Sequence, residues 1–145
     1  MLPALGGSER RAYTAALPAW FPCNRFGWSP DGKSLVYSES VDDGTKARLT
    51  LLSLSDMATH ALTFPSSKEL DCDPVFSPDG SAIAFARGPR IEFFDFANGQ
   101  STPVFALDKP TSLYGGLALS PDGKSILFGQ SELNGSYIML MKNFR

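Results

Sequence analysis

Histidine is nearly absent from this chain, cysteine is scarce, and neither sign of charge dominates. One His and two Cys cannot supply the four ligands of a structural zinc site, nor the dense set of a disulfide framework. Thirteen basic against 15 acidic side chains leave a net charge of −2. That excludes a polybasic nucleic-acid surface, and no basic stripe interleaves with aromatics. No run approaches the roughly 18 to 20 apolar residues of a membrane span. The opening Met1-Leu2-Pro3-Ala4-Leu5-Gly6-Gly7 has neither the charged start nor the apolar middle of a signal peptide. As written the chain is expected to be cytoplasmic, and periplasmic as part of an exported or membrane-anchored larger chain.

Catalytic constellations are also missing. The nearest approach to a nucleophile elbow, Gly27-Trp28-Ser29-Pro30-Asp31, fails at its last position. His60 falls on an outer strand with no Ser or Cys placed to form a triad. Gly32-Lys33-Ser34 and Gly123-Lys124-Ser125 imitate the end of a phosphate-binding loop but lead into strands, without the upstream glycine. The acidic stretch Glu39 to Gly44 lacks calcium-loop spacing and reads as a solvated hairpin loop. Asp71-Cys72-Asp73 holds two carboxylates, which read as turn caps ahead of a strand rather than as a general acid/base pair. The expectation is a non-enzymatic protein without metal or cofactor.

What the chain does hold is glycine, proline and phenylalanine, 13, 11 and 11 of its 145 residues, within a composition 43% hydrophobic and 19% charged. Turn formers mixed with bulky strand formers indicate many short strands. Ser-Pro-Asp-Gly occurs three times, at Ser29-Pro30-Asp31-Gly32, Ser77-Pro78-Asp79-Gly80 and Ser120-Pro121-Asp122-Gly123, spaced 48 and 43 residues apart. Identical tetrapeptides at near-constant period indicate a repeat protein. Pro sets φ at the second turn position, Asp suits the third, and Gly accepts the left-handed conformation of a bulged hairpin.

The flanks repeat too. A first strand precedes each turn (26–28, 74–76, 117–119), and an apolar triplet follows it (35–37, 83–85, 126–128). Unbroken triplets imply burial on both sheet faces. Third strands are expected at 49–54, 91–96 and 138–141, and fourth strands at 59–63 and 101–105. The third repeat has no fourth strand of its own, whereas residues 5–13 read as a turn plus strand left over from a preceding repeat. The expected architecture is all-β: a β-propeller segment of about three four-stranded antiparallel blades, the last completed by an N-terminal strand or a partner chain. Its parts are residues 1–15 (a displaced fourth strand), 16–64, 65–108 and 109–145.

The pattern Asp71-x-Asp73-Pro74-x-Phe76-Ser77-Pro78-Asp79-Gly80-x-x-Ile83-Ala84-Phe85 resembles the WD40-like repeat of the TolB-type β-propellers, with further copies at Trp28 to Tyr37 and Leu119 to Phe128. The resemblance implies a binding scaffold. Such propellers occur in periplasmic TolB-like envelope proteins, as sensory parts of winged-helix regulators, and beside the catalytic domain of prolyl-oligopeptidase-type peptidases. The closing Ser136 to Arg145 is similar to the C-terminal end of large bacterial regulators, which makes that the preferred context. The departure is size, since TolB-type propellers usually have six blades.

Chain direction puts the Ser-Pro-Asp-Gly turns on one rim and the irregular linkers on the other. Uneven loops on a regular scaffold are where binding usually resides. Trp20, Phe21, Arg25, Asp71, Asp73 and Tyr114 are therefore the candidate recognition residues, for a protein partner or small ligand. Cys23 and Cys72 occupy nearly equivalent linkers. Two separate thiols are the preferred reading, and a disulfide, which needs Cα atoms within about 7 Å, is the alternative. With three blades, two copies could complete a six-bladed ring by trading N-terminal strands.

Overall fold

Each Ser-Pro-Asp-Gly closes in the same way. In the first, the Gly32 N–H donates to the Ser29 carbonyl at 2.9 Å, the Ser29 hydroxyl donates to Asp31 Oδ1 at 2.6 Å, and the same oxygen accepts the Lys33 N–H at 3.0 Å. The Ser34 N–H then donates to Ser29 Oγ at 2.9 Å. Ser77 and Asp79 repeat the set with the N–H groups of Ser81 and Ala82, as do Ser120 and Asp122 with those of Lys124 and Ser125. Gly32, Gly80 and Gly123 have φ of 71°, 74° and 68°, a region that favours glycine.

These turns organise the computed structural model, which describes residues 23, 25–65, 69–108, 116–132 and 135–142. Strands β1 (Phe26–Trp28), β2 (Ser34–Val41), β3 (Lys46–Ser53) and β4 (Thr59–Ala61) form a first antiparallel sheet in chain order. Strands β5 (Asp71–Phe76), β6 (Ala82–Arg87), β7 (Arg90–Asp95) and β8 (Gln100–Ala106) form a second in the same order. Strands β9 (Leu117–Leu119), β10 (Ser125–Glu132) and β11 (Gly135–Lys142) form a third. The expected displaced strand at 1–15 lies outside the described residues. β5 begins at Asp71, so Asp71-Cys72-Asp73 is strand and not linker. The pairing of Asp71 with Arg87 and of Cys72 with Ala86 extends the ladder to that end.

The sheets stack face to face, and alternation along each strand assigns its side chains. On β6, Ile83 and Phe85 point toward the first sheet and join Val36, Leu49, Phe76 and Phe94 in one buried cluster. Ala82 and Ala84 point the other way and join Ile91, Phe93, Leu107, Ile126 and Phe128 in another. This is why the triplets are unbroken: the second sheet is covered on both sides. Each sheet thus has a leading face, toward its predecessor, and a trailing face, toward its successor.

The inner strands β1, β5 and β9 lie side by side. β1 approaches β5 so closely that a Cβ on Gly27 would stand 2.8 Å from the Pro74 carbonyl oxygen. On the turn rim, a Cβ on Gly80 would rest at 3.6 Å on the Pro30 ring, and one on Gly123 at 3.7 Å on the Pro78 ring. The second and third turns therefore each seat against the one before.

Candidate functional site

The start of each inner strand, the end of each second strand and the start of each third strand share the linker rim, and the ionic side chains gather there. Asp71 is fully buried. Arg87 grips it with two parallel bonds, Nε to Oδ1 at 2.6 Å and Nη2 to Oδ2 at 2.8 Å, the bidentate geometry that makes such pairs strong. The Thr63 hydroxyl donates to Asp71 Oδ2 while accepting the Leu49 N–H at 2.8 Å, which ties the first sheet to the second. Arg87 Nη1 continues to Glu92 at 2.9 Å, and Arg90 bridges Glu92 and Glu69. The Arg87 guanidinium also lies 5.1 Å over the Phe85 ring. The bonds from Asp71 hold the Arg87 pKa above its ordinary value.

Asp71 is thus the fully buried counter-ion of Arg87.

Asp73 and Arg25 are arranged otherwise. β5 carries a bulge between Cys72 and Val75, with Asp73 at φ 54°, a conformation Asp tolerates better than most residues. A bulge re-aims a side chain, and Pro74, which cannot donate to a ladder, is admissible on the edge strand. The result is an Arg25 Nε to Asp73 Oδ1 contact of 3.1 Å, with side-chain exposures of 47% and 4%. Burial raises the Asp73 pKa, and Arg25 partly opposes it. The same guanidinium packs over Gly116, where a Cβ would stand 3.1 Å from Nη1. One side chain therefore spans the starts of all three inner strands. Beside it opens a cavity of about 320 Å³ lined by Arg25, Phe26, Gly27, Asp73, Pro74, Val75 and Leu117.

Of the sequence candidates, Arg25 and Asp73 meet at this cavity and Asp71 serves the network behind it. Trp20, Phe21 and Tyr114 lie outside the described residues. Cys23 and Cys72 are joined as a disulfide, with Cα atoms 5.0 Å apart. This corrects the preferred expectation of two separate thiols. The two residues share one buried cluster with Ala47, and the Ala47 N–H donates to the Glu69 carbonyl at 3.2 Å, which draws the linker against β3. Glu92, Thr63 and Glu69 were not singled out by sequence. The one available signal was the matching position of Arg48 and Arg90 at the starts of their third strands.

Elsewhere, Glu39 accepts from Arg48 and from Thr50, each at 2.8 Å, and Asp42 pairs with Lys46 at 2.8 Å, so both acidic groups have partners within the fold. His60 sits exposed on β4. A cleft of about 340 Å³ on the turn rim is floored by Leu51, Phe76 and Phe96.

No family model matches the chain. Among solved structures, TolB from Acinetobacter baumannii superposes with a TM-score of 0.66 at 25% identity, over 81% of this chain and 29% of that one. A TolB structure from Agrobacterium tumefaciens reaches 0.75 at 22% identity, over 99% and 52%. The fold is a partial TolB-like β-propeller. Its three sheets are blades, and the cavity at Arg25 opens where the inner strands of the propeller converge. Among curated proteins, dipeptidyl-peptidase 5 of Porphyromonas gingivalis is 28% identical over 137 residues, which is 83% of this chain but 19% of the peptidase. The propeller chain spans about a fifth of that relative and between 29% and 52% of the TolB chains.

Proposed function

We propose that this chain is a non-enzymatic propeller scaffold that binds a protein segment or small ligand at its linker rim, as the interaction part of a larger bacterial regulator. The observation that carries the binding reading is the half-exposed Arg25 at the edge of a cavity, held by Asp73 and seated over Gly116. Pinning a guanidinium removes much of the side-chain entropy that capture would otherwise cost. Its planar donors suit a carboxylate, so a peptide with an acidic side chain or a free C-terminus is the favoured ligand class. A second context is favoured by the match to dipeptidyl-peptidase 5: the propeller part of a peptidase, where the same rim would meet the peptide on its way to a separate catalytic domain.

An array of acidic and C-terminally free peptides, probed with the purified chain and with Arg25→Gln, tests the rim. Binding reduced about tenfold in the variant, corresponding to about 1.4 kcal/mol, is expected. Undiminished binding overturns the site. Hydrolysis of dipeptidyl chromogenic substrates by the purified chain would overturn the non-enzymatic reading.

A further inference from the structure

The cleft on the turn rim lies between the first and second blades, each of which has its four strands. Its volume of about 340 Å³ lies within the range of pockets that hold small groups. Its floor is aromatic. Phe76 is 8% exposed and Phe96 38%, their rings are stacked with centroids 6.1 Å apart, and Phe94 meets Phe96 edge-on at 5.3 Å. The Phe96 N–H donates to the Ser81 carbonyl at 3.1 Å, which fixes the backbone that carries the ring. Asp31 and Asp79, one from each flanking turn, also line the cleft, and no basic side chain is among the described residues that do.

The turns account for these carboxylates but not for the rings. Ser-Pro-Asp-Gly recurs where the second blade meets the third, and Gly123 lies against Pro78 there as Gly80 lies against Pro30. Strand register puts Leu119 in the place of Phe76 at that junction. Met141 answers to Phe94, which makes Asn143 the sequence counterpart of Phe96. The repeat thus needs its aspartate, whereas the aromatic floor is particular to the first junction. In both turns a serine hydroxyl and a following N–H converge on Oδ1 of the aspartate, which orients the carboxylate. The Ser29 hydroxyl, and then the Lys33 N–H, hold the Asp31 pKa below the ordinary carboxylate range.

The chain itself shows what a ring beside a carboxylate accommodates. Arg87 lies 5.1 Å over the Phe85 ring while its guanidinium bonds the Asp71 carboxylate. A ring face attracts a cation, a carboxylate takes the planar donors of a guanidinium, and the aliphatic stem of arginine packs on apolar surface. Leu51 and Phe76 offer that surface in the cleft.

We propose that the cleft binds an arginine side chain of a partner protein, with the guanidinium over Phe96 and its charge met by Asp31 and Asp79. The site is on the rim opposite Arg25 and does not depend on the ligand proposed there.

Two-dimensional NMR on the purified 145-residue chain tests this, by titration with capped tripeptides that carry arginine, lysine or citrulline between two glycines. The arginine peptide is expected to give saturable shifts of the Phe96 ring and of the turns at Asp31 and Asp79. Lysine should bind more weakly, and citrulline, which keeps the shape and loses the charge, about tenfold or more weakly. Phe96→Leu keeps an apolar floor without the ring and should weaken the arginine peptide about threefold or more. Asp31→Asn should weaken it too, whereas Asp122→Asn, the same change in the turn away from the cleft, should not. Far-UV circular dichroism should stay unchanged, and if Phe96→Leu loses its strand signal, the comparison of arginine with citrulline on the unaltered chain decides. Equal binding of the lysine or citrulline peptide, shifts centred on Arg25, a folded Phe96→Leu that binds undiminished, or equal losses in Asp31→Asn and Asp122→Asn would each overturn the proposal.

Discussion

Asp73 and the turn aspartates are the same residue type under opposite influences. Burial raises the Asp73 pKa against the pull of Arg25, whereas Asp31 and Asp122 are lowered, first by the hydroxyls of Ser29 and Ser120 and then by backbone N–H groups. The folded chain holds the Asp73 proton more tightly than the unfolded chain. Its contribution to stability is therefore complete below the ordinary carboxylate range and lost as pH rises through the raised value. Asp31 and Asp122 contribute above the ordinary range, and that contribution is lost as pH falls through their lowered values. Carboxyl carbon NMR should accordingly find Asp73 titrating well above Asp31 and Asp122; a midpoint at or below theirs would contradict the burial. At the same scale, Arg87→Ala strands a buried carboxylate and should cost about 3 to 5 kcal/mol, while Arg90→Ala at the exposed end of the same network should cost under about 1 kcal/mol. Urea midpoints measure both.

Between elements, closeness and conformation make different demands on glycine. Gly27 lies in β1 where a Cβ would meet the Pro74 carbonyl at 2.8 Å, whereas Gly32 has open space around it but a φ of 71°. Gly27→Ala should force β1 away from β5 and disturb the junction between the first two blades. Gly32→Ala should cost only the backbone strain of about 1 to 2 kcal/mol. Amide exchange separates the two: faster exchange in β5 is expected for Gly27→Ala and not for Gly32→Ala. The turns themselves act between blades as well as within them, since Gly80 and Gly123 lie against Pro30 and Pro78 of the turn before.

For the molecule as a whole, the disulfide closes a separation of 49 residues and joins the approach to β1 with β5. It therefore clamps two blades on the rim opposite the Ser-Pro-Asp-Gly turns. A closed loop of that size restricts the unfolded chain enough to be worth about 2 to 4 kcal/mol. Thiol titration of the unreduced protein should find no free cysteine, and the Cys23→Ser/Cys72→Ser double variant should unfold at lower denaturant with the fold retained. Two titratable thiols would contradict the bridge. The fold survives because most of its stabilisation lies elsewhere, in the apolar faces around Phe85 and Phe128, which pack whether or not the rim is clamped.

Those faces also mark what the sequence determined by itself. The three Ser-Pro-Asp-Gly turns, the strands beside them and the double-sided burial of Ile83-Ala84-Phe85 are local: turn conformation and side-chain alternation depend on neighbours a few residues away. Arg25 and Asp73 could be nominated from the sequence, but nothing local told an Asp73 that lines the cavity beside Arg25 from an Asp71 sealed by Arg87, since the two lie two residues apart at the start of β5. That difference comes from a bulge, which turns one carboxylate toward the cavity, and from an arginine 16 residues away that covers the other. The cysteine pairing likewise needed two blades to be set side by side. Period and turn chemistry are written in adjacent residues; ion pairing and bridging are decided by distances that exist only once the blades are stacked.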